Sequence, residues 1–465
     1  MNFFLSGIKG TGLSHLASFL SLEGNSISGC DIEEDFFTSA LLKDFKIYKN
    51  DTHLPENIDV VIYSTAALKH DPIWYKEAKE RGVKCYSYPE YLAYLSKSRL
   101  TGGIAGTHGK TTTAAISSHL IKSLDLKAAA IYGSFLVGDS FAVNKGKDFL
   151  LLEACEYQDH YQLYDLSLLT ITSIDFDHPD YFNSLEEVRN SFSTRVRALR
   201  ANGVVIYHSS LKNLASSWAS ERPDLTFIRY GSGSFSIVKG YNGYTIPALG
   251  DVSFTTNDKN SLILSDYLAA ALTVSALYLM SKGALVNEDS LLSMLKVVLP
   301  HLSSFPGVSA RGEVVLIEDG VTYIDDYAHH PEEIKTALDN LRSRYPHSRL
   351  VVLFMPHTAS RTKALMKEFV SSLTLADAVF VEGLYTSARE DDTKEDLSKE
   401  LASLLDRRLM RSFYQRLSTV MYTPTNEDTI LSVSAFLQDG DVCITMGAGD
   451  NRALSLKIAK ARKDR

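Results

Sequence analysis

The sequence predicts an α/β protein of three domains, each built on a mainly parallel sheet flanked by helices. Three observations carry that prediction. The chain has 465 residues, too many for one core when a domain holds roughly 100–200. Continuous apolar runs, the mark of strands buried on both faces, alternate with helical patterns along the chain. Nearly all the unusual polar residues fall at the carboxyl ends of those runs, where open parallel sheets place their ligands.

Residues 1–98 form the first predicted domain. Its opening, "FFLSGIKGTGLSHLASFL", runs from a strand through a glycine turn into a helix. Gly7, Gly10 and Gly12 follow G-x-x-G-x-G and not the G-x-G-x-x-G of dinucleotide-binding folds. The turn therefore signals a phosphate at a helix start without naming its carrier. Farther on, "VVIYST" reads as a strand and "IWYKEAKERG" as a helix. The polar, basic "SKSRLTG" reads as a linker.

Residues 99–305 form the second. In "GGIAGTHGKTTTAAISSHLI", Gly106 and Gly109 let backbone N–H groups approach phosphate oxygens. Lys110 is placed to reach the β- and γ-phosphates, and the Thr111 hydroxyl to join a Mg²⁺ shell. The following helix offers its positive end to the anion. The strict G-x-x-x-x-G-K-[ST] pattern fails, because Ile104 stands where its first glycine belongs. "FLLLEA" is a buried strand ending at Glu153, a candidate Mg²⁺ ligand; Glu156, three residues on, reads as a solvated loop acid. "SLLTITSIDFDH" is a second such run, bringing Asp175, Asp177, His178 and Asp180 into one loop. Mg²⁺ prefers oxygen, so His178 stays open between a structural and a functional role. "FSIVKGYNGYTI" predicts a small antiparallel insertion. "YLAAALTVSALYLM" is shorter than the ~20 residues of a membrane span and follows Asp266, so it reads as a buried core helix.

Residues 306–465 form the third, after the Pro/Ser/Gly-rich "LPHLSSFPGVSARG". Its strands are "VTYIDD", "RLVVLFM", "DAVFVEG" and "DVCITMGAGD". "YIDDYAHHPEEI" follows paired acids with His329 and His330, then starts a helix with Pro331 at its first turn. "MPHTASRT" supplies His357 and Arg361, and arginine holds carboxylates or phosphates bidentately. The bland alternative is a helix cap and a charged loop.

The formal net charge of −8 argues against a dedicated nucleic-acid binder, which carries a basic face. Cys30, Cys85, Cys155 and Cys443 form no C-x-x-C pair, so no structural zinc is expected and the scattered thiols fit a reducing cytoplasm. No leader with a basic start and a clean apolar stretch is expected at the N-terminus.

In order, "GIKGTGLSHLA", "GTHGKTTT", "EACEY", "DFDHPDYF", "DDYAHHP", "PHTASRT", "SARE" and "MGAGD" closely resemble the motifs of the Mur ligases, ATP-dependent amide-bond-forming enzymes of peptidoglycan synthesis. The resemblance covers essentially the whole chain, and "GTHGKTTT" is that family's own form of the P-loop. It implies a Rossmann-like N-terminal domain for a UDP-sugar, a central P-loop domain for ATP, and a Rossmann-like C-terminal domain closing on ATP and the amino acid. It further implies that Gly106, Thr107, His108, Gly109, Lys110, Thr111 and Thr112 bind ATP, with Arg311 and Asp326 reaching it from the closing domain. Thr111, Glu153 and His178 would serve Mg²⁺. Gly7, Lys9, Gly10, Gly12, Asp31 and Ser64 would face the UDP-sugar. Tyr327, His329, His357 and Arg361 would face the amino acid. Lys110, His178, His329 and Arg361 are the implied catalytic set, with His329 the candidate base.

The branch implied is the alanine-adding one. ATP would phosphorylate the lactyl carboxylate of UDP-N-acetylmuramate, and the amine of L-alanine would attack the acyl phosphate. A cytoplasmic monomer or weak homodimer is expected, with no nucleic-acid or membrane partner. "RNSFSTRVRAL" offers no lysine for the carbamylation seen in some sister ligases, consistent with that branch. Three positions depart from the family pattern: Ser173 and Asp266 stand where asparagine is usual, and Ala310 replaces the first of two arginines. The alternatives are a ligase that attaches a recycled peptide, a P-loop small-molecule kinase, and a nucleotide-regulated binding protein with a decayed site.

Overall fold

The computed structural model describes every residue except 34–36, 69–70, 139–142, 386–395, 411–415 and 448–450. The motif "SARE" and the end of "MGAGD" therefore lie outside the described residues. The apolar run Asn2–Ser6 (β1) is the centre of a five-stranded sheet. With β2 (Ser26–Asp31), β3 (Lys46–Lys49), β4 (Val60–Tyr63) and β5 (Lys84–Ser87) it forms the all-parallel order β3-β2-β1-β4-β5. Phe3, Phe4 and Leu5 are all buried, as strands covered on both faces require. The helices are α1 (Thr11–Leu22), α2 (Ile73–Glu80) and α3 (Tyr88–Lys97). A capping box between Ser87 and Glu90 starts α3.

The second sheet has seven strands, β6 (Thr101–Ala105), β7 (Ala129–Ile131), β8 (Val143–Asn144), β9 (Leu150–Glu153), β10 (Leu168–Ile171), β11 (Val204–His208) and β12 (Thr226–Tyr230). They lie in the order β12-β11-β10-β6-β9-β7-β8, parallel except for β8. Its helices α4 (Lys110–Ser123), α5 (Leu185–Arg197) and α6 (Lys212–Glu221) precede the expected antiparallel insertion of β13 (Val238–Gly240), β14 (Gly243–Thr245) and β15 (Ser253–Phe254). Then come α7 (Ser261–Ser281) and α8 (Glu288–Val298). Among the described residues α7 alone is long and apolar enough to cross a membrane by length and composition. Its residues 267–277 are all buried, as a core helix predicts. Strand β10 stops sooner than its apolar run. Thr172 N keeps one last bond to β6, donating to Ala105 O at 3.0 Å. Thr172 Oγ1, however, donates to His108 O and Thr107 N to Ser173 O at 3.1 Å, so from there the chain bonds the glycine loop.

The third sheet is β16 (Glu313–Glu318), β17 (Val321–Asp326), β18 (Leu350–Met355), β19 (Ala378–Glu382), β20 (Thr419–Thr423) and β21 (Val442–Gly447), in the order β16-β17-β21-β18-β19-β20. It is parallel apart from β16. The helices are α9 (Pro331–Arg344), α10 (Ala359–Ala364), α11 (Met366–Leu373), α12 (Leu397–Leu409), α13 (Asn426–Phe436) and α14 (Asn451–Lys463). Strand β16 was not anticipated. Its signal was the two-residue turn Asp319-Gly320, with φ of 47° and 72°, the turn chemistry of a tight hairpin.

The described chain divides into two compact units. One comprises Met1–Phe176, Ser184–Thr256 and Ile263–Pro306; the other comprises Asp177–Asn183, Asn257–Leu262 and Gly307–Arg465. The second unit thus takes in two short segments from the middle of the chain.

Candidate active site

In the first unit, the turn after β1 holds Gly7 at φ +82°, a conformation that favours glycine. A Cβ there would also stand 2.7 Å from Ser64 Oγ. Gly10, the N-cap of α1, has no side chain with which to cap the helix, so the helix start presents backbone N–H groups. Asp31 buckles this turn: its carboxylate accepts from Lys9 N at 2.7 Å and Ile32 N at 2.8 Å. Burial raises the Asp31 pKa, and those two hydrogen bonds oppose the rise. The Lys9 ammonium donates to Ile32 O at 2.8 Å. Gly12 lies against Tyr88, whose ring a Cβ would meet at 2.8 Å.

A second glycine turn in the same unit opens α4. Gly106 and Gly109 have φ of +137° and +81°. A Cβ on them would lie 2.1 Å from Thr172 Oγ1 and 2.5 Å from Asp266 Oδ1, so neither position takes a side chain. His108 N donates to Ser173 Oγ at 2.9 Å, and His108 Nε2 lies 3.5 Å from Asp175. Thr107 Oγ1 accepts from Asp175 N at 2.8 Å. Thr111 Oγ1 donates to Glu153 Oε1 at 2.8 Å, and Glu153 Oε2 accepts from Gly133 N at 2.8 Å. Thr112 sits half-buried in the first turn of α4.

Glu156 departs from expectation. It is 1% exposed, and both its oxygens lie 3.1 Å from Lys110 Nζ. Burial disfavours the Lys110 charge, but Glu156, then Cys155 and Glu153, more than offset it and raise the pKa. The sequence showed an acid in a polar loop; it did not show that the loop folds inward.

The two glycine turns are neighbours. A Cβ on Gly133 would lie 3.4 Å from Glu153 Oε2 and 3.9 Å from Thr11 Oγ1, the first residue of α1.

The second unit gathers most of the remaining candidates. Arg361 Nε and Nη2 donate to Asp177 at 2.9 and 3.3 Å, and Nη1 lies 3.2 Å from His357 Nδ1. Burial works against the Asp177 charge, but Arg361 and three histidines hold its carboxyl well below the usual range. His178 Nε2 is 3.8 Å from Asp177. The His329 and His357 rings are 5.6 Å apart. His329 Nδ1 lies 2.8 Å from Tyr327 O. A carbonyl only accepts, so the proton sits on Nδ1 and the Nε2 lone pair is left for chemistry. Burial drops the His329 pKa to about 4, with Arg361 adding to the fall and Glu333 and Asp177 opposing it. Arg311 lies over the Tyr327 ring at 5.5 Å and 3.9 Å from Glu333. Asp326 Oδ1 accepts from Ala328 N at 2.8 Å, and burial raises its pKa to about 6 against the pull of Arg311. His178, Ala310 and Thr358 adopt positive φ of 56°, 56° and 65°. Such strain in residues with side chains collects at working sites. His330, by contrast, caps α9, its Nδ1 accepting from Glu332 N.

Among the described residues no three His, Cys, Asp or Glu side chains gather as a metal site. The pair Thr111 Oγ1 and Glu153 nonetheless fits a hard cation such as Mg²⁺, which takes one or two protein oxygens and fills its shell with water and phosphate. His178 falls in the other compact unit.

Three family models match the chain in order: "Mur ligase family, catalytic domain" over residues 5–99, "Mur ligase middle domain" over 104–260, and "Mur ligase, glutamate ligase domain" over 310–449. The UDP-N-acetylmuramate–L-alanine ligase of Borreliella burgdorferi is 32% identical across 97% of both chains. That of Treponema pallidum is 33% identical across 96% of this chain and 93% of its own. Among solved structures, the UDP-N-acetylmuramate–alanine ligase of Thermotoga maritima superposes with a TM-score of 0.72 at 22% identity, covering 100% of this chain and 99% of its own. A murein peptide ligase from Psychrobacter arcticus gives 0.67 at 18%, with the same coverage. At those identities the two structures bear on the fold alone.

Proposed function

The chain belongs to the Mur ligase family, and from that premise we infer an ATP-dependent ligase that joins L-alanine to the lactyl carboxylate of UDP-N-acetylmuramate. The observation that carries the reading is the adjacency of two phosphate-type turns across Gly133. One suits the diphosphate of a nucleotide sugar, and the other suits ATP, so the sugar's carboxylate and the γ-phosphate meet. On this reading residues 1–98 serve the UDP-sugar, 99–305 ATP, and 306–465 the amino acid together with ATP. The protein works in the cytoplasm as a monomer or weak dimer.

A carboxylate is a poor acyl donor, so it is first phosphorylated by ATP. Lys110 opposes the charge on the transferring group, and the backbone N–H groups at the start of α4 orient it. Arg311 and Asp326 add contacts to ATP. Thr111 and Glu153 hold Mg²⁺, with His178 near a second ion; when bound, Mg²⁺ screens phosphate charge. Arg361 anchors the alanine carboxylate beside Tyr327 and His357. The amine must lose a proton to attack, and the Nε2 of neutral His329 is the acceptor. The tetrahedral intermediate then expels phosphate and leaves the amide.

Phosphate release tests the reading. It should require UDP-N-acetylmuramate and L-alanine together, and equal release with either omitted overturns it. A panel of alanine, serine, glycine and a recycled-type peptide measures selectivity in the same assay.

A further inference from the structure

Lys110 is a fully committed cation. An ammonium has three protons. The carbonyls of Gly106 and Thr107 and the Glu156 carboxylate receive them. Two more acids flank the same turn: Glu153 on Thr111, and Asp266 against Gly109. The loop that carries Glu156 is held in place. Gln158 and Asp159 are consecutive residues in left-handed conformation, φ 53° and 55°, costing roughly 1–2 kcal/mol each. Asp159 N donates to Glu156 O at 3.0 Å, and Asp159 accepts from Ser191 Oγ, which meets the Tyr161 hydroxyl at 2.8 Å. Such backbone persists only where its surroundings over-determine it.

We propose that Glu156 is a positioning residue acting as an internal counter-anion: it competes with the nucleotide's phosphates for Lys110 and so makes nucleotide binding dependent on a divalent cation. The proposal rests on the reading of this turn as the ATP cradle. When a phosphate takes the ammonium, the buried Glu156 carboxylate loses its partner, an unfavourable state in a low dielectric. A cation held by Thr111 and Glu153 restores positive charge nearby.

Calorimetric titration of the full chain with ADP, in excess Mg²⁺ and again in EDTA, tests this on wild type, Glu156→Gln and Glu156→Asp. Glu156→Gln should tighten metal-free ADP binding about tenfold, with the Mg²⁺-ADP affinity changed far less. Glu156→Asp, one methylene short of Lys110, should move the same way by a smaller factor, and it carries the test if the glutamine variant does not fold. A loosened fold cannot produce a gain in affinity. A variant that binds Mg²⁺-ADP but shows unchanged or weaker metal-free affinity overturns the proposal. Wild type that fails to bind Mg²⁺-ADP overturns the cradle reading instead.

Discussion

Arg361 and Asp177 form a buried, two-pronged ion pair, 2.9 and 3.3 Å long, between positions 184 residues apart. The acid fixes the guanidinium plane, and the Nη1 edge turns toward His357. A buried pair of this kind is worth more as geometry than as net stability.

Arg361→Lys keeps the charge and discards the fork. The KM for L-alanine should rise about tenfold or more, with the KM for ATP nearly unchanged. An unaltered alanine KM would remove Arg361 from the amino-acid site and leave it a structural partner of Asp177.

His329→Gln should cut kcat by roughly 10²–10⁴ without raising the KM for ATP. In wild type the base is needed unprotonated, and burial sets its pKa at about 4. The acid limb assigned to His329 should therefore lie below pH 5 and not near the ordinary histidine value. A limb near 6.5 that disappears in His329→Gln would contradict the buried, neutral ring.

Asp31→Ala removes the carboxylate that accepts from the part-buried Lys9 N–H of the first turn and from the Ile32 N–H beside it. The KM for the UDP-sugar should rise about tenfold while the ATP KM holds. Lys9→Ala separates charge from shape at the same turn. If nucleotide-sugar affinity is unchanged, the Lys9 charge takes no part in holding the nucleotide sugar.

Glu382, at the end of β19, is 2% exposed, and among the described residues neither of its oxygens has a hydrogen-bond partner. Burial alone raises its pKa to about 7. An acid that binds its proton more tightly when folded makes stability fall as pH rises from the unfolded value, near 4.5, through about 7. The loss is on the order of 3 kcal/mol when complete. Glu382→Gln should flatten the melting temperature between pH 5 and 8. A slope identical to wild type would mean the carboxyl is not titrating there.

How much of this was legible in the sequence depends on distance along the chain. The turn at Gly106–Thr111 could be read because strand, glycines, lysine and helix are contiguous and their chemistry is local. The insertion at β13–β15 and the buried α7 were legible for the same reason. Glu156 was not, because its burial depends on a loop with two consecutive left-handed residues, Gln158 and Asp159, of which glutamine is not one that favours that region. The pairing of Asp177 with Arg361 was equally hidden, since no periodicity links residues that far apart. Asp31 was expected to face a ligand, and nothing in "SISGCD" showed that its carboxylate holds the turn's own backbone. Strand β16 was missed although its Asp-Gly hairpin was in plain view.

The discontinuity of the second compact unit bears on modularity. A gene fragment cut after Pro306 encodes the last sheet complete, together with Arg361, but without the segment 177–183 that supplies its acid. Grafting that fragment onto a sister enzyme would transplant a cation whose counter-charge stays behind in the donor. Exchange of this portion by recombination therefore has to carry a seven-residue piece from the middle of the reading frame, or find an equivalent acid already waiting in the recipient.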